Sequence, residues 1–191
     1  MERNLISNLS FQIEKITENC NLPFSAGKDF DNFTSFLSND VEDYFCNGDG
    51  VTYLIKNENT NDIIAYFCIS ASAIPFDYKI EGESSIWGVS VVEIRMFAVN
   101  EPYQDVFMKD SKGNEVPIAA WCLAYLIHQI TEYIGTKAIY LHSVPTAEKF
   151  YKRNGFMEMN NAMIPLHCLD DNLKELWLPL QRIDFGDDVE K

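Results

Sequence analysis

Residues 88–99, with the sequence GVSVVEIRMFAV, constrain the fold more than any other segment of this 191-residue chain. The segment is rich in β-branched and apolar residues, which is the pattern of a strand buried on both faces. Glu93 and Arg95 are the exceptions to that pattern. We therefore expect a central strand that lies inside a sheet covered by other elements.

Segments with strand and helix patterns alternate on both sides of this central strand. Residues 29–46 place apolar side chains three and four positions apart, which predicts an amphipathic helical segment. Residues 9–17 are an opening strand or a short helix, and residues 100–116 are a polar loop. The other predicted elements are strands over 51–56, 63–73, 137–142 and 174–182, and helices over 118–134 and 146–154. This order predicts a mixed α/β sheet, in the α+β sense.

The length and composition predict one domain. The chain has no internal repeat or Pro/Gly/Ser-rich linker, and 47% of its residues are hydrophobic. We expect a single domain over residues 1–185 and an acidic tail over 186–191. The sequence contains no apolar run long enough to span a membrane and no secretory signal. Its cysteines are dispersed and odd in number, which favours a cytoplasmic protein without disulfides or a bound metal.

The net charge of −14 bears on the partners of the protein. Nucleic acid is disfavoured, because polyanion binding needs a basic patch and no basic cluster is longer than Lys152-Arg153. The acidic field suits a cationic substrate or a basic protein partner, and the alternative is that the charge only keeps the protein soluble. Membrane binding is not expected, and a homodimer remains open.

Two segments resemble a known enzyme family. In residues 139–156, IYLHSVPTAEKFYKRNGF, a strand precedes a helix with the pattern A-x-x-F-Y-x-x-x-G-F, formed by Ala147, Phe150, Tyr151, Gly155 and Phe156. Residues 92–104, VEIRMFAVNEPYQ, form the second segment. The first segment is similar to the C-terminal half of GNAT acetyltransferases, and the second is similar to their central strand. The segment from Phe24 through residues 51–73 resembles a toxin-like branch that acetylates aminoacyl-tRNA. The resemblance covers about residues 9–183.

The resemblance implies an N-acetyltransferase that places an amine against the thioester of acetyl-CoA, its co-substrate. This chemistry needs a general base, a general acid and oriented backbone donors. Tyr151 matches the position of the general acid, and its alternative role is an aromatic side chain packed beside Phe150. Glu93 matches a general base on the central strand, and its alternative is to face solvent or Arg95.

The resemblance also implies residues that hold acetyl-CoA. The backbone of Phe97, Ala98 and Val99 would pair with the pantetheine. The 142–145 segment, which contains Ser143, would cap the next helix and line the cofactor cleft. A Ser–His triad that uses His142 or His128 is not expected, because the chain has no G-x-S-x-G pattern.

The phosphate-binding turn of the family, Q/R-x-x-G-x-G/A, is degenerate here. Gln104 begins the corresponding segment, but Gly113 is its only glycine, and three acidic residues in it would repel phosphate. Lys109 and Lys112 are expected to substitute for the missing backbone contacts as point charges.

Three functions follow from these observations. The first is acetyl transfer from acetyl-CoA to a primary amine of a cationic small molecule or a protein. The second is a catalytically silent GNAT fold that binds a protein partner, as the degenerate loop would allow. The third is acetylation of aminoacyl-tRNA, against which the negative charge argues.

Overall fold

The computed structural model describes residues 4–6, 9–80, 83–110, 112–160, 163–164 and 172–180. Its strands are β1 (Asn4–Ile6), β2 (Phe11–Ile16), β3 (Val51–Asn57), β4 (Ile63–Ile80), β5 (Glu83–Val99), β6 (Val106–Lys109), β7 (Glu115–Pro117), β8 (Ala138–Ser143), β9 (Met157–Glu158) and β10 (Lys174–Pro179). Its α-helices are α1 (Asp31–Asn39), α2 (Val41–Asn47), α3 (Ile118–Tyr133) and α4 (Glu148–Arg153). The predicted acidic tail lies outside the described residues.

The chain divides into two compact units. The first consists of Met1–Ser70 and Arg95–Leu126, and the second of Ala71–Ile94 and Ile127–Lys191. The strands β4 and β5 therefore each contribute residues to both units. The single domain over 1–185 stays a prediction. Within the described residues, no helix is long and apolar enough to cross a membrane.

The first unit is built on an antiparallel sheet that two short helices cover. The strand β2 pairs with β3, and β3 pairs with the beginning of β4. One continuous helical segment was expected, but the backbone leaves helical geometry at Asp40 and separates α1 from α2. Phe36 of α1 is fully buried and stacks on Tyr66 of β4, whose hydroxyl donates to the carbonyl of Phe33 at 2.7 Å. These contacts fix the helices on the sheet.

The prediction of a polar loop over residues 100–116 is wrong for the residues that form β6 and for the first two residues of β7. A short 3-10 helix (Glu101–Tyr103) is followed by β6, which pairs antiparallel with β7 and parallel with β1. The reason is local, because Val106 is buried and Phe107 and Met108 half-buried, whereas Gly113 has φ of +83° and permits a tight turn. Pro117 is the last residue of β7, and α3 begins at the next residue.

The second unit contains the central part of the predicted sheet. The strand β5 pairs parallel with β8, from Val91 opposite Ala138 to Ile94 opposite Leu141. The strand β10 pairs antiparallel with β8 and with β9. Residues 91–94 are all buried, so the prediction of a strand covered on both faces is confirmed for this part of residues 88–99, whereas Gly88, Ser90 and Arg95 are exposed. The expected helix between two further strands is also confirmed, since α4 lies between β8 and β9 in the chain.

Thr52 on β3 carries an unsatisfied buried hydroxyl. Its Oγ1 has no hydrogen-bond partner within the described part of the chain, and its side chain is 1% exposed. Because a buried polar group without a partner costs about 1–3 kcal/mol, Thr52→Val should raise the free energy of unfolding by about 1 kcal/mol. Urea denaturation measures this change.

Thr60→Val is the matched control. Thr60 is exposed, and its hydroxyl donates to Asp62 Oδ2 at 2.6 Å, so the same substitution should bring no gain there. An equal or lower stability of Thr52→Val relative to the wild type would show that the hydroxyl is satisfied in solution.

Candidate active site

The register of three neighbouring strands brings four polar side chains together in the second unit. Glu93 on β5 lies opposite Tyr140 on β8, and His142 on β8 lies opposite Glu175 on β10. Opposite residues of paired strands point to the same face, and so do residues two apart on one strand. The register therefore places all four side chains on one face of the sheet.

The four side chains form a connected polar cluster. The Tyr140 hydroxyl donates to Glu175 Oε1 at 2.7 Å and lies 3.0 Å from His142 Nε2. The other ring nitrogen, Nδ1, lies 3.8 Å from Glu93 Oε1. Tyr140 is fully buried and Glu93 is 7% exposed, whereas His142 and Glu175 are half-buried. We call these four residues the polar cluster.

Glu93 is the only member of the polar cluster that the sequence predicts as catalytic. The structure places its carboxylate beside His142 instead of in solvent. The 142–145 segment supplies no side-chain cap to α4, but the carbonyl of Val144 accepts from the backbone N–H of the N-cap residue Ala147 at 3.0 Å. The Ser143 hydroxyl donates to the carbonyl of Val144 at 2.9 Å. The sequence signal for the cluster is the Tyr-x-His pair on one strand, but the approach of Glu175 depends on register.

Tyr151 lies on α4 in the same unit. Its ring is 7% exposed and meets the rings of Phe150 and Phe156 edge-on. Burial raises the pKa of the Tyr151 phenol above its usual range, so the phenol holds its proton at neutral pH. Among the described residues the hydroxyl has no hydrogen-bond partner. The ring packs as a core aromatic, and the catalytic role of Tyr151 stays a prediction.

The predicted cofactor strand, Phe97–Val99, lies in the first unit at the end of β5. The parallel pairing of β5 with β8 ends at Ile94, five residues before β5 itself ends at Val99. The Gln104 side chain donates to the carbonyls of Ala26 and Val99, both at 2.9 Å. Gln104 thus fixes the backbone where the strand ends.

The turn between β6 and β7 is closed by an aspartate. Asp110 Oδ1 accepts hydrogen bonds from the backbone N–H groups of Lys112 and Asn114, both at 2.8 Å. The hydrogen bonds from Asn114, above all, lower the pKa of Asp110. The side chains of Lys109 and Lys112 are exposed. The carboxylate therefore already occupies two donors that a phosphate-binding turn would offer.

No cluster in the described residues qualifies as a metal site, since no three or more His, Cys, Asp or Glu side chains are grouped so as to hold an ion. Neither a family model nor a curated protein matches the sequence. Solved structures do match.

A bacterial toxin aligns with a TM-score of 0.63 and 16% identity over 90% of this chain and 92% of its own. A tyrosine-to-phenylalanine mutant of the AtaT toxin aligns with a TM-score of 0.61 and 15% identity over 88% and 89%. AtaT in complex with acetyl-methionyl-tRNA aligns with a TM-score of 0.58 and 15% identity over 89% and 95%. The chain has the GNAT fold.

The fold prediction, including its likeness to the toxin branch, is thereby confirmed. Other matched GNAT structures are AtaT bound to acetyl-CoA and to the C-terminus of the antitoxin AtaR, and a complex of KacTA with DNA. Because some of these proteins are seen with nucleic acid, the expectation that this chain avoids nucleic acid is not confirmed.

Asp110→Ala should release the turn between β6 and β7. Without the carboxylate, the N–H groups of Lys112 and Asn114 lose their acceptor and should exchange with solvent deuterium faster, which amide exchange followed by NMR measures. Asp105→Ala is the control, because this exposed aspartate lies in the same connection before β6. Unchanged exchange at both amides in Asp110→Ala would show that the backbone alone holds the turn.

Proposed function

We propose that this protein is an acetyl-CoA-dependent N-acetyltransferase that acts on a primary amine. The observation that carries the proposal is Tyr151, a phenol that keeps its proton and has no hydrogen-bond partner among the described residues, on the helix of the predicted motif. A general acid must hold its proton until the leaving group needs it. A candidate base, Glu93, lies in the same unit.

The chain's own residues account for both proton transfers. Glu93 takes one proton from the substrate ammonium, so that the nitrogen lone pair is free to form a bond with the acetyl carbon. Tyr151 gives its proton to the sulfur as the carbon–sulfur bond breaks. The second proton of the nitrogen restores the Tyr151 phenol, and the proton on Glu93 passes to solvent. The net result is an amide, a thiol and one released proton.

The predicted contacts with the pantetheine and the phosphates of acetyl-CoA lie in the first unit. The backbone of Phe97, Ala98 and Val99 supplies hydrogen-bonding groups for the pantetheine, and Gln104 supports this segment through its contact with Val99. The phosphates would be held differently from those in the family's turn, because the backbone N–H groups of this turn already donate to Asp110. The exposed side chains of Lys109 and Lys112 would therefore contact the phosphates.

The acceptor favoured by the comparisons is the α-amine of an aminoacyl-tRNA, since AtaT with acetyl-methionyl-tRNA shares the fold. The net charge of −14 opposes tRNA and favours a cationic small molecule or a basic protein. Mass spectrometry of products from aminoacyl-tRNA, a polyamine and a lysine-rich protein, each incubated with the protein and acetyl-CoA, distinguishes these acceptors.

The second candidate function is a silent GNAT fold that binds a protein. The closed Asp110 turn favours it, because the donors that hold phosphate in active members are used internally. Absence of any acetyl-CoA binding in isothermal titration would support this function and contradict the enzyme.

Lys109→Ala combined with Lys112→Ala should weaken acetyl-CoA binding by about tenfold or more. A hydrogen bond between charged groups contributes roughly 1.5–3 kcal/mol, and 1.4 kcal/mol corresponds to tenfold. Isothermal titration gives the affinity. The control is Lys137→Ala combined with Lys149→Ala, which removes two exposed positive charges from the second unit. Equal affinity in the two double variants would mean that neither lysine holds the phosphates.

Tyr151→Phe should lower kcat by about 10²–10⁴-fold, the usual contribution of general acid–base catalysis. The melting temperature should change little, because the hydroxyl has no partner to lose among the described residues. Tyr133→Phe is the matched control, since Tyr133 is 80% exposed on α3. Turnover equal to wild type would remove Tyr151 from the mechanism, and a collapsed melting temperature would assign the hydroxyl to packing.

A further inference from the structure

His142 lies between two carboxylates that come from different strands. Glu93 on β5 faces Nδ1 at 3.8 Å, and Glu175 on β10 lies 3.5 Å from Nε2. On its own strand, Tyr140 meets the imidazole edge-on, with ring centroids 5.0 Å apart. These are the titratable groups that face His142 from β5, β8 and β10 in the described residues.

The single proton of Tyr140 decides the tautomer of His142. A carboxylate only accepts hydrogen bonds, so at 2.7 Å the Tyr140 hydroxyl must donate to Glu175. The phenol oxygen then has no proton left for His142 Nε2, which lies 3.0 Å away. The imidazole must therefore donate from Nε2 to the phenol oxygen, and Nε2 carries the hydrogen.

This tautomer leaves the opposite ring nitrogen as an acceptor. In neutral His142 the lone pair of Nδ1 faces Glu93 Oε1, and both atoms accept protons. One added proton between them would convert two facing acceptors into a donor and an acceptor. The arrangement thus favours the uptake of one proton by the pair over its uptake by either group alone.

We propose that Glu93 and His142 act together as one proton acceptor, and that Tyr140 and Glu175 hold His142 in the tautomer this requires. The proposal rests on the proposed acetyl transfer, in which Glu93 is the base and His142 its positioning residue. One N–H bond of the substrate ammonium breaks, and one bond to hydrogen forms within the pair. The half-buried imidazole then returns the proton to solvent.

The tautomer can be tested without any substrate. The protein has three histidines, so long-range proton–nitrogen NMR spectra of the intact chain resolve their side chains, and His142→Gln assigns the signal of His142. We expect the neutral His142 ring to carry its hydrogen on Nε2. Tyr140→Phe removes the acceptor oxygen and should convert this signal to a mixture of both tautomers. A ring protonated on Nδ1 in the wild-type protein would overturn the proposal.

The proton uptake is tested by the pH dependence of kcat/KM. In His142→Gln the carboxylate must act alone, so the acidic limb of the profile should move to lower pH, because a carboxylate is ordinarily a weaker base than an imidazole. His128→Gln is the control, because His128 is exposed on α3. An acidic limb that stays in place in His142→Gln would contradict the proposal.

Glu175 variants distinguish positioning from general damage to the sheet. Glu175→Gln keeps an oxygen that accepts from Tyr140, so kcat/KM should stay within about threefold of the wild type, whereas Glu175→Ala should lose about tenfold or more. Melting temperatures are measured first for every variant. If Glu175→Gln and Glu175→Ala lose the same activity, Glu175 does not act through Tyr140. If no variant and no wild-type sample transfers acetyl groups, the proposed function fails, and the NMR spectra still decide the tautomer.

Discussion

The register of β8 between β5 and β10 is the constraint on which the polar cluster depends. Side chains alternate along a strand, so a shift of one residue would move Tyr140 and His142 to the opposite face. Ile139 and Leu141, which alternate with them, are buried at 0% and 2% exposure. A shifted strand would put Ile139 and Leu141 in the places of the polar pair and would separate Tyr140 and His142 from Glu93 and Glu175, and this cost keeps the register fixed.

The same register reduces the free-energy cost of burying the polar cluster. A polar group taken from water without a partner is costly, but Tyr140 bonds Glu175 and His142, and His142 in turn faces Glu93. These contacts fix the hydrogens of the Tyr140 hydroxyl and of His142 Nε2, whereas Nδ1 of neutral His142 and Glu93 Oε1 face each other as two acceptors. Tyr151 differs, because its ring is held by aromatic packing while its hydroxyl has no hydrogen-bond partner among the described residues.

Local patterns predict local features and fail for contacts between distant residues. The buried strand over 91–94 and the helix of Tyr151 are readable, because their periodicity and motif lie within a few residues. The approach of Glu175 to Tyr140 spans 35 positions and depends on strand pairing that no local pattern encodes. The hairpin of β6 and β7 could not be predicted for another reason. Its strands are short, and its many charged residues give the segment the sequence pattern of a loop.

The turn at Asp110 also bears on anion binding. Its carboxylate accepts hydrogen bonds from two backbone N–H groups at 2.8 Å, as a bound anion would. The side chain of Asp110 therefore takes the place of an external anion in this turn. Replacing this one side chain by a neutral residue would vacate both donors while leaving Gly113 to shape the backbone. One substitution at position 110 would therefore change whether this turn offers two backbone N–H groups to an anion.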